Sequence, residues 1–330
     1  MKAASAITAI NSNARSDRGR ALLTDPVLLG GLRVMAVIVL AIIGFFFVRL
    51  AISAAPAFSQ FGVLGFIFKN NWDVAHAVFG AWPLVAGTLI TSAVALVLGV
   101  PVAVAAALYV TELAPARLRG LFALLLDLLA AVPSVIYGLW GVFVLIPALK
   151  PVEQWFSNTF SFLPFVGGQV SGPNYFIAGL ILAIMIVPIV SAVSREVLAT
   201  VPMPEKEGAL ALGATRWEVM RLAVLPHARA GITSAAMLGL GRAIGETIAV
   251  TLVIGSAPTI GHSIFSQGYT LAAVIANEFG EASPGSLHIS SLIAAGLILF
   301  VLTLLVNGAA RSLTIRASRS RGSIADKVVA

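Results

Sequence analysis

The sequence contains no cysteine, and only 11% of its 330 residues are charged. The absence of cysteine excludes disulfide bonds, thiolate catalysis and cysteine-ligated metal clusters. The four histidines are scattered without the spacing of metal ligands, so we expect no metal site. Soluble globular proteins carry about 25% charged and about 45–50% apolar residues. Here 59% of the residues are apolar, which predicts an integral membrane protein.

Six segments are long and apolar enough to cross a bilayer as helices. A hydrocarbon core about 30 Å thick requires roughly 20 apolar residues of helix. The predicted fold is therefore all-α, a polytopic membrane protein with six transmembrane helices. Prolines in the second and third segments predict kinks or tilting. The six predicted spans are residues 32–53, 82–110, 121–149, 175–194, 231–255 and 287–308.

Lysine and arginine are distributed unequally between the two sides of these spans. Most of the 21 basic residues face one side, which the positive-inside rule assigns to the cytoplasm. We therefore expect a plasma-membrane protein with both termini cytoplasmic. Residues 1–31 would form a basic cytoplasmic segment before the first transmembrane helix, 32–53. Residues 311–330 would form a basic cytoplasmic tail that contacts anionic membrane lipid rather than nucleic acid.

The cytoplasmic loop 195–230 has the pattern of two short helices. Pro204 followed by acidic residues is typical of a helix start. Gly213 interrupts the pattern, and Thr215 is suited to cap a second helix. We expect Pro226 to end that helix.

The apolar side chains of this loop allow two interpretations. The loop could rest on the membrane surface, or it could be a docking element for a groove on a partner protein. The side chains offered to such a groove would be Leu210, Leu212, Trp217 and Leu222.

Three stretches carry a resemblance to a known family. Glu207-Gly208-Ala209, then Gly213, then Leu225-Pro226 resemble the loop signature of ABC importer permeases, with Gly208 in place of the usual first alanine. The surrounding sequence resembles the phosphate-specific permeases of the PstC type over residues 80–310, the expected permease core. The stretches are AAVPSVIYGLWG (130–141), VPMPEKEGALALGATRWEVMRLAVLP (201–226) and LGLGRAIGETIAV (238–250).

The resemblance implies a type I ABC importer permease fold and a subunit of an ATP-driven phosphate importer. In that family a second homologous permease subunit completes the pore, and an extracytoplasmic phosphate-binding protein delivers the substrate. Two cytoplasmic ATP-binding subunits hold ATP and Mg, and the loop with Trp217 would couple this chain to them. The chain itself has no P-loop, because no lysine follows a glycine. We therefore expect no catalytic residue and no cofactor in this chain.

The stretch GRAIGET (241–247) places opposite charges inside the fifth predicted span. Arg242 and Glu246 would lie about 6 Å apart along one helix face, where they could pair. A charge facing lipid costs from about 2.5 to more than 10 kcal/mol, so both must face protein or water. Either they form a structural salt bridge, or they line the translocation path. In the second case Arg242 binds phosphate and Glu246 competes for Arg242, while Thr251 and, less directly, Thr247 add hydroxyl donors.

Other charged residues have less specific interpretations. Asp127, one or two turns into the third span, is expected to be an interfacial carboxylate rather than a pore residue. Glu278 and Glu281 lie in the predicted outer loop 256–286, where they are either solvated charges or contacts for the binding protein.

Two other functions stay open at this point. The substrate could be another oxyanion such as molybdate or sulfate. The chain could also be a self-contained anion carrier or channel, but such a protein needs no pair of short cytoplasmic helices.

Overall fold

The computed structural model describes the backbone of residues 2–329 and the side chains of residues 28–312. The predicted segment 1–31 and tail 311–330 fall largely outside the described side chains. Thirteen α-helices and no strand are present in the described chain, which confirms the all-α prediction. The helices are α1 (Lys2–Phe61), α2 (Val63–Phe68), α3 (Trp82–Leu108), α4 (Ala116–Ala130), α5 (Ser134–Trp140), α6 (Ile146–Thr159), α7 (Tyr175–Ala199), α8 (Met203–Ala211), α9 (Arg216–Val219), α10 (Leu225–Gly245), α11 (Ile248–Ile254), α12 (Leu271–Glu278) and α13 (Leu287–Val329).

The chain divides into two compact units, residues 1–52 and 53–330. In the first unit, nearly all described side chains of α1 are exposed, and most of them are apolar. A helix that is hydrophobic all round is suited to a lipid environment. The second unit contains all the other helices and the residues predicted to be functional.

Among the described residues, five helical segments are long and apolar enough to span a membrane, and a bent pair gives a sixth. This agrees with the predicted number of spans. The segments are Leu28–Phe61, Trp82–Leu113, Ser134–Thr159, Tyr175–Ala199, Leu287–Ser312 and the pair Arg216–Gly245 with Ile248–Ile254.

The predicted start of the third span, 121–149, is wrong, because the structure begins this span at Ser134. Its apolar run is divided between α4, which ends at Ala130, and a new helix that begins at Ser134. Pro133 disfavours the helical conformation in the residue before it, so the chain breaks there. Asp127 consequently lies on α4, where its Oδ1 accepts a hydrogen bond from Arg195 Nη2 at 2.7 Å.

Three five-residue π-helical turns each end just before an X-Pro bond. In each, the N–H of the residue before the proline bonds to the carbonyl five residues earlier. Proline has no N–H and its ring crowds the carbonyl four residues before it, so a wider turn relieves the conflict. The turns are Tyr109–Leu113, Gly141–Leu145 and Met220–Val224, and the prolines are Pro115, Pro147 and Pro226.

The third of these turns corrects the prediction that Pro226 ends the second loop helix. The helical chain runs from Arg216 to Gly245 without a break. Leu225 N–H bonds to Met220 O, and Pro226 sits in the first turn of α10. The loop 195–230 is therefore joined directly to the fifth span.

Helix α7 is the centre of the second unit and packs against α3, α10 and α11. Glycines allow these helices to approach closely, as is common in membrane proteins. A Cβ added to Gly179 would lie 2.5 Å from Val94, and one added to Gly99 would lie 2.8 Å from Ile186. The buried α7 scaffold fixes the position of α10, which carries Arg242.

The predicted outer loop 256–286 contains helix α12, and Glu278 ends it. Trp72 Nε1 donates to Glu278 Oε2 at 3.0 Å, and His288 Nε2 lies 2.8 Å from the same oxygen. The Glu278 side chain is 18% exposed. The interpretation of Glu278 as a solvated charge is therefore wrong, because α12 folds it against two other segments.

Candidate translocation site and coupling loop

The fifth span is interrupted inside GRAIGET. Helix α10 ends at Gly245, Glu246 has extended backbone angles, and α11 begins at Ile248 with a bend of 64°. Glycine has a low helix propensity and makes this a weak point of the helix. Non-helical backbone at membrane depth is tolerated where it is covered by protein or lines a water-filled cavity. The break therefore marks a candidate site for a polar substrate.

This break corrects the expected pairing of Arg242 with Glu246. The two residues are not on one continuous helix, and among the described residues no salt bridge joins them. Glu246 Oε1 instead accepts a hydrogen bond from Ala249 N at 3.4 Å. Glu246 thus caps the first turn of α11, and the structure does not support the interpretation of a salt bridge that fastens helices.

Arg242 opens into a cavity of about 750 Å³ between α7, α10 and α13. Its side chain is exposed and has no acidic partner within the described part of the chain. A guanidinium presents five N–H donors in a planar arrangement that matches oxyanions. The residues lining the cavity are Ile189, Ser234, Met237, Leu238, Gly241, Arg242 and Asn307.

The two threonines near the break use their hydroxyl hydrogens within the chain. Thr251 Oγ1 donates to Thr247 O at 2.8 Å, and Thr247 Oγ1 donates to Gly245 O at 3.3 Å. In this geometry neither offers a hydroxyl hydrogen to a substrate. Their oxygens remain able to accept hydrogen bonds.

The two short helices predicted in the cytoplasmic loop are present. Helix α8 ends before Gly213, whose φ of +85° is a left-handed conformation that favours glycine. Thr215 and Glu218 form a reciprocal capping box at the start of α9. Hydrogen bonds from the backbone and hydroxyl of Thr215 hold the pKa of Glu218 below its usual value.

The apolar side chains predicted for docking are exposed on this loop. Leu212 is 90% exposed, and Trp217 and Leu222 are each about two-thirds exposed. Glu207 and Gly208 are also exposed, whereas Ala209, Leu225 and Pro226 are half-buried. Large apolar side chains exposed together on one folded loop are typical of an interaction surface.

The opposite side of the loop is anchored to the membrane unit. Val219 and Val224 pack with Ala107 and Leu198 in a small apolar cluster. Lys206 Nζ also lies 2.6 Å from Glu112 Oε1, at the end of the second span. These contacts fix the loop so that one face is packed and the other is free.

Comparisons with known proteins place this architecture in a family. Residues 99–319 match the model of the family described as "Binding-protein-dependent transport system inner membrane component". The phosphate transport system permease protein PstC of Mesorhizobium japonicum is 41% identical over 323 residues, which cover 96% of this chain and 98% of that protein. PstC 2 of Mycobacterium tuberculosis is 49% identical over 249 residues, or 73% of this chain and 76% of that protein.

Solved structures agree with the fold. A bacterial alginate ABC transporter, in complex with an alginate pentasaccharide-bound periplasmic protein, aligns with a TM-score of 0.54 and 19% identity, covering 92% of this chain and 97% of that chain. A bacterial ABC transporter involved in alginate import aligns with a TM-score of 0.51 and 18% identity, covering 91% and 98%. With a family match over two thirds of its length, this chain belongs to the inner-membrane components of binding-protein-dependent transport systems.

Proposed function

We propose that this chain is a permease subunit of an ATP-driven importer that moves inorganic phosphate across the plasma membrane. The observation that carries the proposal is 41% identity, across nearly the whole of both chains, with a protein named as a phosphate transport permease. The orientation with both termini in the cytoplasm follows from the distribution of basic residues.

Arg242 is proposed to bind phosphate during translocation. It lies at a broken span, opens into a cavity and has no carboxylate partner among the described residues. An unpaired cation inside the membrane costs free energy, and a passing oxyanion offsets that cost by pairing with the cation. Charge-assisted hydrogen bonds from the guanidinium give the contact its strength.

Glu246 is proposed to limit how long phosphate stays. Its hydrogen bond to Ala249 N holds the carboxylate at the break, four residues after Arg242. A fixed negative charge near the path repels a bound anion and weakens its binding. Thr251 lies in the next turn of α11, where its oxygen can accept a hydrogen bond from protonated phosphate.

ATP hydrolysis is proposed to occur on two cytoplasmic partner subunits, which carry the ATP and Mg. The exposed patch of Leu212, Trp217 and Leu222 would seat the coupling loop on one of them. The continuous helix from Arg216 to Arg242 spans roughly 40 Å at about 1.5 Å per residue. A movement of the loop would therefore reach Arg242 through one rigid element.

The remaining partners follow from the same assignment. A second, homologous permease subunit would complete the pore, and an extracytoplasmic phosphate-binding protein would deliver the anion. This chain would bind neither ATP nor a metal ion.

The test is transport by the complete complex in proteoliposomes. We expect radiolabelled phosphate uptake that requires ATP and the binding protein, with phosphate-stimulated ATP hydrolysis. Excess unlabelled phosphate should block uptake, whereas sulfate and molybdate should not. Uptake without ATP would indicate a self-contained carrier, and stronger inhibition by sulfate or molybdate would indicate another oxyanion as substrate.

A further inference from the structure

A second polar side chain enters the cavity beside Arg242. Asn307 lies on α13 inside the span Leu287–Ser312 and lines the same cavity. A carboxamide placed in a hydrocarbon region without a hydrogen-bond partner is costly. Asn307 is half-buried near the C-terminal end of the span, so a polar partner in the cavity stabilises its amide.

That partner is absent from the described part of the chain, where the Asn307 amide makes no hydrogen bond. Its Nδ2 lies 3.9 Å from the position that a Cβ would take on Gly241. Gly241 directly precedes Arg242. The amide of α13 and the guanidinium of α10 therefore come from two helices to adjacent positions of one cavity. Glycine has no side chain, so nothing at position 241 stands between them.

The third polar residue lining the cavity contributes no donor. Ser234 lies two helical turns from Arg242, and its hydroxyl donates to Ala230 O at 3.0 Å. The other lining side chains are apolar or absent. Among the lining residues, the side-chain N–H groups without a partner in the described part of the chain are thus those of Arg242 and Asn307.

We infer that Asn307 is a second phosphate-contacting residue, which acts on the same anion as Arg242. The inference rests on the proposed phosphate transport. The Asn307 N–H donates to one phosphate oxygen while Arg242 binds others. An amide adds donors without adding charge, so only one cation holds the anion and release stays possible.

Asn307 also gives a reason for selectivity. Phosphate near neutral pH carries at least one P–O–H group, whereas sulfate is fully deprotonated. Asn307 Oδ1 accepts a hydrogen bond from the P–O–H of phosphate. Sulfate has no such proton, so Asn307 Oδ1 would face a sulfate oxygen without a hydrogen bond between them. A site built to accept a hydrogen bond from a substrate hydroxyl rejects an analogue that lacks this group. Asn307 therefore favours phosphate over sulfate.

The test compares Asn307→Leu, Asn307→Asp and Asn307→Gln in the complete importer. Leucine is of similar size and removes both amide functions, aspartate replaces the donor with a negative charge, and glutamine keeps the amide. Thr303→Val is the matched control, because Thr303 lies one turn away on α13 and bonds only its own helix, at Leu299 O. Each variant is assayed for phosphate uptake over a range of concentrations, for inhibition by sulfate and for copurification of the partner subunits.

We expect Asn307→Leu to raise the phosphate concentration for half-maximal uptake on the order of tenfold, the loss of one hydrogen bond to a charged ligand. Asn307→Asp should reduce uptake further. Asn307→Gln should stay closer to the unmodified protein, and Thr303→Val should equal it. Sulfate should inhibit Asn307→Leu more strongly than the unmodified protein.

Three outcomes would overturn the inference. If the unmodified complex transports phosphate and the leucine and aspartate variants keep its half-saturating concentration, Asn307 does not contact the anion. If leucine and glutamine impair uptake equally, shape rather than the amide is responsible. If the variants lose their partner subunits, Asn307 belongs to a subunit interface. An unmodified complex that transports no phosphate would instead refute the proposed function, and the inference with it.

Discussion

Lys206 in the loop 195–230 forms an ion pair with Glu112 at the end of the second span, with 2.6 Å between Nζ and Oε1. Both side chains are only 17% exposed, so the pair is shielded from water and salt. It joins the loop to the end of the second span. This contact is long-range in sequence and positions the loop for a partner.

Glu112→Gln should loosen this attachment. The substitution leaves the Lys206 ammonium partly buried without its anion, which destabilises more than removal of both charges. We expect a loss of about 1–3 kcal/mol in unfolding free energy. The double variant Glu112→Gln with Lys206→Met should recover part of it in thermal unfolding of the purified protein. Equal losses of unfolding free energy in the single and double variants would show that Glu112 and Lys206 do not form a specific stabilising pair. His227→Gln, which removes the more exposed pair with Glu205, should have little effect.

Arg242→Gln should reduce phosphate uptake strongly while the complex still assembles. Removing a charge-assisted contact to an anion costs about 1.5–3 kcal/mol, which corresponds to a decrease of roughly 10- to 150-fold. Arg242→Lys should keep part of the activity, because it restores charge but not the planar donors. Uptake by membranes that contain matched amounts of complex is the measurement. Arg229→Gln, on the same helix and exposed, should transport normally; equal uptake in all three variants would exclude Arg242 from the path.

Leu212→Asp and Trp217→Ala should uncouple the chain from the proposed ATP-binding subunits. A few buried side chains, often Trp, contribute most of the energy of such interfaces, and truncation of one of them typically costs about 2 kcal/mol or more. Copurification of the ATPase and phosphate-stimulated ATP hydrolysis should both fall. Phe162→Ala removes another exposed aromatic residue, outside the loop, and is the control. Normal coupling in the loop variants would assign the patch to the membrane surface instead.

Thr215→Ala should lower the melting temperature of the protein and weaken its pH dependence. The folded state depresses the pKa of Glu218 through Thr215, so this stabilisation is present above the unfolded pKa of the carboxyl group. It is lost as the pH falls through the lower folded pKa. The melting temperatures of the two proteins should therefore differ more at pH 7 than in acid, where the remaining difference comes from the lost cap between Glu218 N and Thr215 Oγ1. A difference that is constant with pH would show that the carboxylate does not contribute.

Gly268→Ala should destabilise the outer part of the membrane unit. An added Cβ would lie 2.0 Å from the ring of Tyr175, which is fully buried. Overpacking of this kind typically costs about 1–3 kcal/mol. Gly280→Ala is the control, because its Cβ would meet no described atom within 4 Å. A melting temperature that is the same for both variants would show that the Tyr175 ring can move aside.

The residues of the coupling loop could be predicted because their signals are local. Gly213 and Thr215 set the helix boundaries through backbone preference and a side-chain cap, and both act within a few residues. Pro226 was misleading for a related reason. Its local effect is to end a helix, but packing of Val219 and Val224 supports a π-turn that carries the helix past it.

The candidate site was only partly predictable. The cost of placing a charge in a membrane drew attention to Arg242 and Glu246. The sequence prediction assumed one continuous helix, however, and therefore put both residues on the same face. In the structure the helix breaks at Glu246, and the Glu246 carboxylate accepts a hydrogen bond from Ala249 N instead of pairing with Arg242. Asn307 carries no charge and belongs to no motif, so only its position beside Gly241 identifies it.

The sequence by itself determined the class of protein, the number of spans and the two helices of the loop, because composition, hydrophobic length and capping act over short distances. Only the tertiary structure decided which polar groups meet. The Glu278 contacts, the Lys206–Glu112 pair and the cavity shared by Arg242 and Asn307 each join residues far apart in the chain. Such contacts depend on how α7 packs against its neighbours, and no local pattern encodes that packing.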